Sequence, residues 1–208
     1  MATHGTSPLR GGEFLLTASD PTGIFTPEQR TDEHRMIGQT VRDFVNGEVL
    51  PVLDQLEAKD WPRNRDLMQR AAALGIMGAD VAEQHGGLAL DKVSSVVISE
   101  EISLSASFAA TFGAHCNLMI LPLSLFGTDA QKQKYLPRLL SGELVGAYCL
   151  SEPGSGSDAL GAKARADLQP DGSYLLNGEK MWITNGGFAD IFIVFALSLI
   201  HISEPTRR

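Results

Sequence analysis

Two short segments contain residue types that could do chemistry together. The first is Tyr148-Cys149-Leu150-Ser151-Glu152-Pro153-Gly154-Ser155-Gly156-Ser157-Asp158. A strand ends there, Pro153 turns the chain, and the two glycines let a backbone approach a ligand closely. Ser151, Ser155 and Ser157 add hydroxyls, so the loop can offer N–H and O–H donors to a diphosphate. On composition alone, an ordinary Gly/Ser turn between strands is the commoner reading. The loop lacks GxGxxG, and no Gly-Lys-Ser/Thr ends it, so it is neither a dinucleotide fingerprint nor a P-loop.

The second segment is Asn177-Gly178-Glu179-Lys180-Met181-Trp182-Ile183-Thr184-Asn185-Gly186-Gly187. In a strand, Trp182 and Thr184 would point to the same side. A planar conjugated cofactor could lie on the indole face while the threonine hydroxyl donates to a ring heteroatom. Taken singly, a tryptophan on a sheet is more often a core residue. His85, beside Gly86-Gly87, and His115, in an apolar helix, have no carboxylate or cysteine at productive spacing, so both read as structural.

The elements that must position these segments fall into two parts. Thr31 can cap a helix with Ile37, Val41, Phe44, Val45 and Val49 on one face, and Pro51 should kink or restart it. A second helix runs from about Arg65 to Leu74 and stops at Gly75. Asp91 can cap a helix carrying Val93, Val96, Val97 and Ile102. Ser107 to Phe126 reads as a buried helix bent at Pro122, and Thr128 caps the next, with a bend or change of segment expected at Pro137. Near Leu144 the pattern changes. Val145–Leu150, Ala162–Leu168, Tyr174–Leu176, Lys180–Thr184 and Ile191–Ala196 read as strands, with Asp171-Gly172 as a hairpin turn. The fold class is therefore α+β: an amino-terminal all-helical bundle followed by an incomplete antiparallel β domain. The divisions are an irregular extension over 1–30, a helical domain over 31–143, a partial β domain over 144–196 and a tail over 197–208.

Composition bounds the function. The chain has 208 residues, 43% hydrophobic and 20% charged, so it can bury a core and reads as soluble and globular. Its net charge of −8 opposes a nucleic-acid role without excluding small anionic ligands. Cys116 and Cys149 form no CxxC pair and no zinc-spaced cluster, which suggests buried thiols in a reducing compartment. The amino terminus has no signal-peptide run, and the apolar stretches read as too short and interrupted to span a bilayer. The cytoplasm is the default location, or the mitochondrial matrix in a eukaryote.

Together the two segments resemble the acyl-CoA dehydrogenase family, which carries a Y-x-x-[ST]-E-P-x-[AS]-G-S-D loop and a downstream K-x-[WY]-I-[TS]-N motif. The resemblance runs from Phe25 to Ala196 and includes GGLALDKVSS and FGTDAQKQKYLPRLLSGE. The extended amino terminus and TVRDFVNGEVLP look most like the long-chain branch. The resemblance implies an FAD-dependent dehydrogenase that oxidises medium to long acyl-CoA thioesters at Cα–Cβ in fatty-acid β-oxidation. It implies electron-transferring flavoprotein as acceptor and a homo-oligomer of two or four subunits. An acyl-CoA oxidase and a non-catalytic binding relative are the alternatives. The cofactor-binding residues it implies are Tyr148, Leu150, Ser151, Ser157, Trp182, Ile183 and Thr184, with Ser157 also near the acyl-CoA. The family's base is a glutamate of a carboxy-terminal helical domain, and no residue here matches it; Glu100, Glu101, Glu152 and Glu179 lie in other parts of the chain. From Leu197 the sequence departs from the family pattern and looks like translated adapter read-through. The chain alone is expected to bind FAD weakly and to be inactive.

Overall fold

The computed structural model describes residues 15–16 and 25–198. Most of the extension expected over 1–30, and the tail from 199 onward, lie outside the described residues. Seven α-helices come first: α1 (Asp32–Phe44), α2 (Leu53–Glu57), α3 (Trp61–Ala73), α4 (Lys92–Ile102), α5 (Ala106–His115), α6 (Leu121–Phe126) and α7 (Asp129–Leu140). Four strands follow: β1 (Gly146–Cys149), β2 (Arg165–Leu168), β3 (Tyr174–Asn177) and β4 (Ile191–Val194).

Local chemistry sets the helix starts. The side chains of Thr31, Asp91 and Thr128 each accept from the backbone N–H three residues on, as N-caps do. Helix α3 begins earlier than expected, because Asp60 caps it through Arg63 N and Pro62 suits the first turn. Both proline interruptions share one device. Five-residue π-helical turns, Val45–Val49 and Cys116–Ile120, precede Pro51 and Pro122. The wider turn relieves the clash between a proline ring and the carbonyl one turn back. Pro137 lies within an uninterrupted α7, so no change of segment occurs there.

The run Ala106–Phe126 is therefore one continuous helix of 21 residues, long and apolar enough to cross a membrane by length and composition. This corrects the expectation that every apolar stretch is too interrupted. In this fold Phe108, Phe112, His115, Met119 and Ile120 of that helix are buried. Phe108, Phe112, Met119 and Ile120 join Val41, Phe44, Leu67, Met68, Ile98, Ile102, Leu136 and Leu139 in the helical core. Helices α1 and α4 are tied by Arg42, whose guanidinium donates to both oxygens of buried Glu101 at 2.8 and 2.6 Å.

The strands form two small sheets. β2 and β3 pair antiparallel about the Asp171-Gly172 turn, as expected, with Gly172 at φ 83°. β1 and β4 instead pair in parallel, Gly146 opposite Ile191 and Cys149 opposite Val194. The connection between them is long enough for such a crossover, which a hairpin is not. Beyond β4, Leu197 bridges to β2: its N–H donates to Ala164 O at 2.7 Å and its carbonyl accepts from Ala166 N at 2.8 Å. Lys180–Thr184, expected as a strand, is irregular.

Candidate functional site

β1 lies directly on the core helix. A Cβ built on Gly146 would stand 2.3 Å from Met119 Cγ, so only glycine permits this approach. Two buried polar side chains hold the same residue. The N–H of Gly146 donates to His115 Nδ1 at 3.1 Å, and its carbonyl accepts from Asn185 Nδ2 at 3.2 Å. His115 Nε2 in turn sits 3.0 Å from the Leu139 carbonyl at the end of α7. With Nδ1 accepting, the proton belongs on Nε2. Burial lowers the His115 pKa to about 4, so the ring is neutral.

The stretch that follows the second segment docks on α3. Trp61 stacks on Phe188 with ring centroids 4.9 Å apart and planes 11° from parallel. Arg65 donates to both carboxylate oxygens of Asp190 at 2.9 Å and to the Phe188 carbonyl. Asp190 Oδ2 also accepts from Val145 N at 2.8 Å, which aligns β4 beside β1. The Arg65 hydrogen bonds hold the Asp190 carboxyl below its usual range.

Between these anchors opens a cleft of about 170 Å³ lined by Ala114, Leu118, Tyr148, Leu150, Ser151, Trp182, Ile183 and Thr184. Six of the seven residues implied as cofactor-binding therefore meet on one surface. Ser157 is exposed on the neighbouring loop and does not line the cleft. Ala114 and Leu118 were not read from sequence as site residues; their signal is an i,i+4 spacing on one face of the core helix. Trp182 is 85% exposed, so it is not a core tryptophan. It reaches the cleft with Thr184 by a left-handed kink, φ 59° at Trp182 and 65° at Asn185, and not by strand alternation.

A largely buried ion pair links the two motif segments. Lys180 Nζ donates to Glu152 Oε1 at 2.7 Å and to the Leu150 carbonyl at 2.9 Å. Glu152 also accepts from Lys163 N and Ala164 N at 2.6 and 2.9 Å. The Lys180 hydrogen bond, reinforced by these two N–H groups, lowers the Glu152 pKa to about 2, which makes it a poor proton acceptor. Glu101 is held by Arg42, and Glu179 is exposed. No cluster of three metal-ligating side chains occurs among the described residues. In the Gly/Ser loop, Glu152 and Ser155 exchange backbone hydrogen bonds at 2.9 and 3.1 Å. A Cβ on Gly154 or Gly156 would meet nothing within 4 Å, so the loop leaves open space beside Ser157.

Comparison with known proteins gives this chain a family. Residues 31–143 match the N-terminal domain of acyl-CoA dehydrogenase, and residues 147–206 match its middle domain. A probable acyl-CoA dehydrogenase of Bacillus subtilis is 48% identical over 197 residues, covering 94% of this chain and 33% of that protein. A mitochondrial isovaleryl-CoA dehydrogenase of Pongo abelii is 39% identical over 168 residues, 80% of this chain and 40% of its own. The crystal structure of an acyl-CoA dehydrogenase from Bacillus anthracis, complexed with FAD, superposes with a TM-score of 0.87 at 51% identity. It is matched over 91% of this chain and 33% of its own length. The chain thus spans about a third of the length of the first of these relatives. With two consecutive domains of one family matched in order, the chain belongs to the acyl-CoA dehydrogenase family.

Proposed function

We propose that this chain forms the flavin-facing walls of an FAD-dependent acyl-CoA dehydrogenase. One observation carries the reading: Tyr148, Leu150, Ser151, Trp182, Ile183 and Thr184, drawn from two distant segments, converge on one open cleft. An indole left 85% exposed beside that cleft is apolar surface for a planar ring to cover. The bound FAD of the Bacillus anthracis relative supports the same choice of ring.

The residues present fit the cofactor. Trp182 and Ile183 offer the face on which the ring packs, and the Thr184 hydroxyl offers a donor to its edge. Tyr148, Leu150 and Ser151 line the same cleft, and their backbone groups are the proposed partners of the ring's polar edge. Ser157, with the open space beside Gly154 and Gly156, would offer donors to a diphosphate, and the family resemblance puts it near the acyl-CoA as well. FAD, when bound, supplies the two-electron acceptor for dehydrogenation at Cα–Cβ. What the chain itself contributes is binding, orientation and preorganised donors. No catalytic residue is assigned within it, because Glu101 and Glu152 are committed to Arg42 and Lys180.

Acyl-CoA thioesters are the proposed substrates and an electron-transferring flavoprotein the proposed acceptor, in a homo-oligomeric enzyme of the cytoplasm or mitochondrial matrix. In the segment Thr40–Pro51, on which the medium-to-long-chain expectation partly rests, Val41, Phe44, Val45 and Val49 pack in the helical core and no residue lines the cleft. It therefore gives this site no chain-length preference. The test is anaerobic mixing of the full-length gene product with acyl-CoA esters from isovaleryl to palmitoyl. Bleaching of a bound flavin by at least one ester is expected. A full-length protein purified without flavin and unable to take it up would refute the reading.

A further inference from the structure

Asn185 ends the second motif, lines none of the cleft, and yet touches two of the elements that do. Its side chain is buried, with 7% of the residue exposed. Nδ2 donates to Thr111 O of α5 at 3.0 Å and to Gly146 O of β1 at 3.2 Å. Its backbone, at φ 65°, follows Thr184 directly. The helix carrying Ala114 and Leu118, the strand carrying Tyr148 and the segment carrying Trp182, Ile183 and Thr184 thus meet at one carboxamide. The amide orientation is settled by its neighbours: a flip would set Oδ1 against two carbonyl oxygens. As placed, Oδ1 has no hydrogen-bond partner among the described residues, a cost that the two donated bonds must offset.

We propose that Asn185 is the positioning residue of the cleft, fixing its three walls relative to one another through one carboxamide. The residue type follows from the demands. The position needs a left-handed backbone, which asparagine tolerates better than most side chains. It also needs two donors on a short stem. Glycine meets the first demand only, and aspartate keeps the shape while presenting acceptors to carbonyls. As a positioning residue, Asn185 touches neither cofactor nor substrate.

The proposal rests on the flavin reading for its functional consequence, and its structural content is tested separately. Asn185→Gly and Asn185→Asp are made in the full-length gene product. Amide exchange is followed by mass spectrometry, and FAD affinity is measured by flavin fluorescence well below the melting temperature. Faster exchange is expected together in peptides from 109–118, 145–151 and 182–187, with the β2–β3 hairpin unchanged. FAD affinity should fall roughly tenfold in Asn185→Gly, the scale of one or two net hydrogen bonds, and further in Asn185→Asp. Should Asn185→Asp, which sets acceptors against two carbonyls, fail to fold, Asn185→Gly, which keeps the left-handed backbone, decides the same question. Wild-type FAD affinity and exchange in either folded variant would overturn the proposal. If the wild type itself binds no FAD, the flavin reading fails and the exchange pattern alone judges the positioning role: coordinated loosening supports it, and its absence overturns it.

Discussion

Lys180 Nζ stands 2.7 Å from Glu152 Oε1 and 2.9 Å from the Leu150 carbonyl, joining by one ammonium the two segments that line the cleft. Neither residue lines the cleft, so their variants test the link between the segments without altering a lining side chain. Lys180→Met leaves a buried carboxylate without its cation and should lower the melting temperature clearly. Lys180→Met with Glu152→Gln should cost less than the two single changes added together. Strict additivity in this cycle would show that the pair is not coupled.

The same carboxyl sets an acid dependence. Its folded pKa of about 2 lies below the ordinary 4.5, chiefly through the Lys180 hydrogen bond. A depressed carboxyl contributes stability that is present above the unfolded pKa and lost as pH falls through the folded one. Glu152→Gln should therefore flatten stability against pH between about 4.5 and 2, measured by denaturant melts at each pH.

His115 acts in a different window. Its folded pKa of about 4 lies below the unfolded 6.5, so the unfolded chain binds the proton first as pH falls. Stability is full above 6.5, declines toward 4 and levels off below it, a loss on the order of 3 kcal/mol at 1.36 kcal/mol per unit. His115→Gln can keep an acceptor for Gly146 and a donor for Leu139 without titrating. The slope between pH 6.5 and 4 should shrink in that variant. An unchanged slope would assign the dependence to other groups.

Gly146 reads as a packing requirement. Gly146→Ala places a methyl 2.3 Å from Met119 Cγ and 2.6 Å from its Cβ. The second contact cannot be relieved by a rotamer change. Overpacking of this kind should cost roughly 1–3 kcal/mol. Adding Met119→Ala should recover part of the loss, seen as a melting temperature above the sum of the single effects.

Thr184 tests the proposed chemistry directly. Its side chain is exposed, so Thr184→Ala should leave the melting temperature almost unchanged. Flavin reduction by acyl-CoA in the full-length protein should slow on the order of 10²-fold, as for loss of one preorganised donor. A wild-type stopped-flow trace would remove Thr184 from the site.

Sequence alone determined the features whose cause lies within a few residues. Thr31, Asp91 and Thr128 reach a backbone N–H three positions on, so their caps are legible as spacing. Asp171-Gly172 turns the β2–β3 hairpin for the same local reason: Asp171 accepts from Ser173 N, and Gly172 supplies the positive φ. The site motifs were legible as well, because each concentrates its unusual residues in one short run. What sequence could not decide was how those runs meet. The strand reading of Lys180–Thr184 followed its pattern, but the backbone there answers to Met181 N donating to Ser151 O, 30 residues earlier in the chain, and to the Asn185 tether. The parallel pairing of β1 with β4 depends on Asp190 reaching Val145 N and on Arg65 of α3. His115 looked merely structural, and its bond to Gly146 shows what it supports. These contacts join residues tens of positions apart. Hydrophobic period and capping signals carry no record of partners at that distance, so only the folded chain brings Tyr148, Trp182 and Thr184 to one cleft.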